Sequence, residues 1–179
     1  MKILALEGEW EQNPKYKTSI RSILNFLYEV DSIDFHHRRV ATEHDFFFYL
    51  KKAKYKSCDI VYFAFHGDEN EISLGDNEQV LTLDEIAKKS NGLLKNKIIH
   101  FGSCGTLKTS DQYLLNFKKE TGAKIVSGYT NVVDFIDSSI FDIAYFSWLF
   151  EYEKKGYIDR RMETEYPGMY ERLGFKFLS

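Results

Sequence analysis

Residues 59–106 read DIVYFAFHGDENEISLGDNEQVLTLDEIAKKSNGLLKNKIIHFGSCGT, and the fold turns on this stretch. Two apolar runs lie within it, Ile60–Phe65 and Ile98–Phe101. A short apolar run closed by a turn signal predicts a buried strand. The first run delivers His66-Gly67, and the second delivers Gly102-Ser103-Cys104-Gly105-Thr106. Between them, Ile72-Ser73-Leu74 and Gln79-Val80-Leu81 frame a polar turn and predict a hairpin. Thr82 with Glu85 three residues on then forms a capping box for a helix ending at Asn91-Gly92. His66 and Cys104 stand 38 positions apart, a length that suits one crossover between adjacent parallel strands. Ligands of open α/β sheets sit outside the carboxyl ends of such strands. A cysteine and a histidine emerging there side by side make a nucleophile and its general base.

These residues carry a resemblance. Phe65-His66-Gly67, the entry Leu81-Thr82-Leu83-Asp84-Glu85-Ile86 and the run Ile99-His100-Phe101-Gly102-Ser103-Cys104 resemble the core of the caspase-like cysteine peptidases, and within them the CHAT domains. The likeness continues faintly through Thr121–Gly128. It departs at Gly105-Thr106, where CHAT domains more often carry an acidic residue, and it lacks the Gln-Ala-Cys context of caspases. It implies a flavodoxin-like strand order with a final antiparallel strand. It also implies a cysteine endopeptidase that cleaves a protein partner, often in prokaryotic defence or cell-suicide systems. His66 and Cys104 would be catalytic, with the Gly67 and Cys104 backbone N–H groups as oxyanion donors. A catalytically silent module that binds a partner protein is the alternative. No pro-segment or sensor repeat is recognisable, so the isolated chain is expected to be weakly active and controlled from outside.

The rest of the chain alternates strands and helices. Residues 2–6 predict a first strand, and Thr18 or Ser19 caps a helix whose apolar face is Ile20, Ile23, Leu24, Leu27 and Tyr28. Residues 33–40 predict a polar strand near a sheet edge. Its His36 and His37 point to opposite faces and make poor joint ligands for a metal. Thr42 caps a helix through Lys54, and Ser110 or Asp111 caps one that stops at Gly122. A strand over 124–129, a long helix from Phe135 to Lys155 closed by Gly156, a short helix near 168–173 and a strand at 175–178 complete the chain. The alternation predicts a three-layer α/β fold with a mostly parallel sheet flanked by helices.

Bulk properties narrow the function. At 179 residues one domain over 1–179 is expected. A net charge of -3 with no basic stripe argues against nucleic acid. No run approaches a membrane span, and the two cysteines fit a cytoplasmic protein better than a disulfide scaffold. No cofactor motif is present: Gly8 alone after the first strand is not a dinucleotide fingerprint. Cys58 reads as a partly buried free thiol, and His100 as a core or helix-packing histidine too far back along its strand to serve Cys104. Asp134 and Asp137 fall just past the strand at 124–129. By the resemblance, that region builds part of the pocket for the residue before the scissile bond. A carboxylate there would favour substrate Arg or Lys; otherwise either residue caps the long helix. Asp68, Glu69 and Glu71 beside His66 point the same way.

Overall fold

The apolar runs do become strands. In the computed structural model, which describes residues 1–10, 18–75, 79–152 and 155–179, β1 (Lys2–Glu7), β2 (Asp34–Arg39) and β3 (Ile60–Ala64) come first. Three short strands follow, β4 (His66–Asp68), β5 (Glu71–Leu74) and β6 (Gln79–Thr82). Then come β7 (Ile98–Phe101), β8 (Ile125–Tyr129) and β9 (Phe175–Leu178). The main sheet runs β2-β1-β3-β7-β8-β9. Its first five strands are parallel, and β9 pairs antiparallel with β8.

The sheet is buried on both faces, as parallel sheets are. Alternation along each strand divides the core in two. Leu4 and Leu6 of β1 and Val61 and Phe63 of β3 face one side; Ile3, Ala5, Ile60 and Tyr62 face the other. The first side is covered by α2 (Glu43–Lys51), α3 (Ala53–Lys56), α4 (Leu83–Ser90) and α5 (Asp111–Thr121), joined by Ile72, Leu74 and Leu81 of the small sheet. The second is covered by α1 (Arg21–Asp31), α6 (Phe135–Glu151), α7 (Gly156–Glu165) and α8 (Pro167–Leu173). The three-layer α/β fold with a mostly parallel sheet is thus the observed architecture.

Several boundaries differ from expectation, each for a physical reason. β1 runs one residue further, to Glu7, whose side chain is fully buried. The first helix has Ile20 at its N-cap with no side-chain cap. Ser19, one residue ahead, both donates its hydroxyl to Glu7 Oε2 at 2.8 Å and accepts from the Arg21 N–H at 3.2 Å, so it still meets the first residue of the helix. Tyr28 lies outside the apolar face and is exposed. The helix from Thr42 does not reach Lys54: Lys52 is extended, separating α2 from α3. Gly156 does not close the long helix, which ends at Glu151, but opens α7, unforeseen in the charged tail. His66 lies at the start of β4, so the expected turn is the first strand of a separate three-stranded sheet, β4-β5-β6. The turn at 76–78 and most of the Pro14 loop lie outside the described residues. Among the described residues no helix is long and apolar enough to cross a membrane.

Candidate functional site

Parallel pairing of β3 with β7 places Ile60 opposite Ile98 and Phe63 opposite Phe101. Continued past the strand ends, this register brings Phe65-His66 alongside Ser103-Cys104. The Gly102 N–H donates to Phe63 O at 2.9 Å, which fixes the start of the Cys104 turn. Gly67 shows how tightly the two segments meet. A Cβ there would lie 2.4 Å from Thr106 Oγ1 and 2.9 Å from the Cys104 carbonyl oxygen. Only glycine lets the β4 backbone approach that closely. Thr106 Oγ1 is in turn hydrogen-bonded to Glu71 O and to Ser103 Oγ, both at 3.0 Å. The Gly-Thr pair after Cys104 therefore staples the cysteine turn onto the small sheet, with Gly105 in the left-handed region at φ 64°.

His66 and Cys104 line the same cavity, about 370 Å³ in volume. His66 Nε2 lies 3.0 Å from the carbonyl oxygen of Trp10. A carbonyl only accepts, so Nε2 is the donor of this bond, and the neutral tautomer that makes it carries its lone pair on Nδ1. The Trp10 indole also meets the imidazole edge-on, with centroids 5.3 Å apart. Cys104 is half-buried, and its sulfur accepts from Val133 N–H at 3.3 Å while the thiol donates to Val133 O at 3.6 Å. Cys58 sits elsewhere, 2% exposed behind Lys97; burial above all pushes its thiol up, only partly offset by Lys97 and Lys2.

Trp10 is held from below by Glu7. Glu7 Oε1 accepts from Trp10 Nε1 at 2.5 Å and from Ile20 N–H at 2.8 Å, and Oε2 lies 2.6 Å from His37 Nε2. Burial pushes the Glu7 carboxyl up, but hydrogen bonds from His37, Trp10, Ile20 and Ser19 together outweigh it and hold the group below the usual glutamate value. His36 points the opposite way, its ring 4.9 Å from that of Tyr55, so the two histidines do face opposite sides.

The two aspartates assigned to a substrate pocket do not line the cavity. Asp134 is the N-cap of α6, accepting from Ile136 N–H at 2.8 Å and Asp137 N–H at 3.2 Å. Asp137 pairs with Arg172 at 2.7 Å. The helix-capping alternative is what Asp134 adopts, because a residue just ahead of a helix finds unpaired N–H groups nearer than any ligand.

A family model described as a family of unknown function, DUF6642, matches residues 1–178. The chain belongs to the DUF6642 family. Among curated proteins, none matches it. Among solved structures it is similar to the Drosophila initiator caspase Dronc. The TM-score is 0.53 at 12% identity, over 90% of this chain and 71% of that one. At that identity the likeness establishes a caspase-like fold and nothing finer.

Behind the cavity, this DUF6642 chain carries a polar cluster that sequence reasoning only touched. Asp142 of α6 is 1% exposed. Its Oδ2 accepts from Tyr62 O–H at 2.5 Å, and its Oδ1 accepts from Tyr129 O–H at 2.5 Å and lies 2.8 Å from His100 Nε2. His100 Nδ1 lies 2.9 Å from Ser127 Oγ. Burial and then the Asp142 charge push the Tyr62 and Tyr129 hydroxyls well up. His100 is thus a core histidine, as expected, but one bound into a network whose Tyr62 ring lines the cavity. An aspartate between Phe141 and Ile143, ahead of the aromatic run Tyr145-Phe146, was the available signal for it.

Proposed function

We propose that this protein is a caspase-like cysteine endopeptidase, with Cys104 as nucleophile and His66 as general base. The observation that carries the proposal is the shared cavity, in which the Trp10 carbonyl leaves His66 Nδ1 free to accept a proton. In the first step the thiol turns from Val133 O toward Nδ1 and gives up its proton. The sulfur attacks the scissile carbonyl carbon, a C–S bond forms and the carbonyl oxygen becomes an oxyanion. The N–H groups of Gly67 and Cys104 are the donors proposed for it, and losing one such donor raises a barrier by about 3–4 kcal/mol. Collapse breaks the C–N bond, and the imidazolium returns its proton to the leaving amine. Water, deprotonated by His66, then attacks the thioester, the C–S bond breaks, and the thiol is regenerated with the acid product. The likeness to CHAT domains over residues 65–67 and 99–104 supports a protein partner as the substrate.

One observation favours the silent alternative, a partner-binding module: the thiol is satisfied by the Val133 backbone. Labelling with thiol-reactive peptidyl ketones separates the two. The expected result is modification at Cys104, lost in Cys104→Ala, reduced at least tenfold in His66→Ala and retained in Cys58→Ala. Labelling that survives Cys104→Ala and vanishes in Cys58→Ala would overturn the assignment.

A further inference from the structure

We infer that the cavity beside Cys104 selects an uncharged, apolar side chain for the residue before the scissile bond. This rests on the peptidase reading above and replaces the sequence expectation of Arg or Lys. The walls carry the inference. Trp10, Ile20, Tyr62, Val133, Phe135 and Ile136 supply rings and branched aliphatics around the sulfur. The hydroxyl protons of α6 are already used: Ser138 and Ser139 both donate to Phe135 O, at 3.2 and 2.5 Å, which leaves only their neutral oxygens as acceptors. Apart from the dyad, Thr18 is the remaining polar residue among the described lining.

Asp68, Glu69 and Glu71, expected beside His66 to favour a basic substrate, are not among the described lining residues, and the carboxylates beneath and behind the walls are engaged. Glu7 is fully buried beneath Trp10 and saturated by Trp10, Ile20, Ser19 and His37. Asp142 is buried behind Tyr62, with three partners. Asp134 caps α6 and Asp137 pairs with Arg172. A guanidinium or ammonium entering the cavity would shed its water and find only neutral hydroxyl oxygens, with no carboxylate among the described lining residues. A substrate carboxylate would fare no better, since no Lys or Arg is among the described lining residues. Burying an unpaired charge is costly, whereas burying a Leu, Met or Phe side chain is favourable. At about 370 Å³ the space lies in the range of pockets that enclose ligand groups, roughly 300–1,000 Å³.

The test uses peptidyl acyloxymethyl ketones that differ only in the residue next to the warhead: Leu, Met, Phe, Arg, Lys and Asp. The rate of Cys104 modification is followed by intact mass on the full chain. The expected order places Leu, Met and Phe at least about tenfold above Arg, Lys and Asp. Ser139→Asp, which puts a carboxylate on the α6 wall, should raise the Arg rate relative to Leu. Phe135→Ala should lower the Phe and Leu rates by a larger factor than the slow Arg rate. Arg, Lys or Asp leading in the unmodified protein overturns this inference and leaves the peptidase reading standing. Modification of Cys104 by no member overturns both.

Discussion

At the residue scale, Glu7 raises the sharpest energetic question. Burying a carboxylate carries a penalty of several kcal/mol, about what a full set of hydrogen bonds must offset. Here one backbone and one indole N–H on Oε1 and two side-chain partners on Oε2 do so, and the carboxyl lies below its usual value despite its burial. A folded-state value below the unfolded one stabilises the fold at pH above the unfolded value, and that contribution is lost as pH falls through the folded one. Glu7→Gln should therefore cost about 1–3 kcal/mol at pH 7, and the gap to the unmodified protein should close as pH drops below about 4.5. Urea unfolding of both proteins from pH 7 down to the onset of acid unfolding measures this. A gap that stays constant over that range would show the contribution to be packing rather than charge. That His66 and Cys104 would come together at one cavity was legible in the sequence because each follows an apolar run and precedes a glycine. The Trp10 carbonyl and the Val133 backbone that hold them were not, because a main-chain group leaves no mark on residue type. Asp134 takes the capping one of its two alternatives, and nearness in sequence to the strand end could not decide between them because it does not say which way the side chain turns.

At the scale of elements, the approach of β4 to the Cys104 turn sets the geometry. Gly67→Ala would push a methyl group to 2.4 Å from Thr106 Oγ1 and 2.9 Å from a backbone oxygen, so one segment must move. We expect Cys104 labelling to fall at least tenfold, since misplacement by about 1 Å can cost a hundredfold. Gly168→Ala is the contrast. Gly168 lies within α8, a Cβ there meets nothing within 4 Å, and no positive φ is required. It should stabilise by about 0.4–1 kcal/mol and leave labelling unchanged. Equal effects of the two substitutions, measured by labelling rate and thermal melting, would remove the special status of Gly67. The hairpin β5–β6 and the capping box were readable from residues 72–85. Strand β4 was not, because three residues are too few to display alternation. Helix α7 escaped because its buried positions reduce to Ile158 and Met162, one turn apart among charged neighbours.

At the scale of the whole molecule, the strand and helix alternation sufficed to anticipate the layered sheet and its parallel majority, while the antiparallel β9 was implied by the resemblance to caspase-like peptidases. It did not disclose how the sheet is tied to the layer that forms the cavity. That tie is polar. Asp142 of α6 takes hydrogen bonds from Tyr62 of β3 and Tyr129 of β8 and meets His100 of β7, so one carboxylate joins three neighbouring strands to one helix. Such a network has no sequence period, and His100 alone looked like packing. Its energetics give the last prediction. Asp142→Ala leaves two hydroxyl donors and an imidazole N–H buried with no acceptor, and breaking a buried charged network typically costs about 3–5 kcal/mol. For a chain of this size that corresponds to a fall in Tm of about 2–4 °C for each kcal/mol. Asp142→Asn should cost less, because one carbonyl oxygen remains to accept while the amide N–H groups face donors. Because the network spans both layers, the loss should appear as one cooperative shift, with far-UV circular dichroism and tryptophan fluorescence moving together in urea. A penalty below about 1 kcal/mol for Asp142→Ala, or fluorescence changing well before circular dichroism, would mean that the α6 layer is held by its aromatic packing and that the carboxylate is incidental to it.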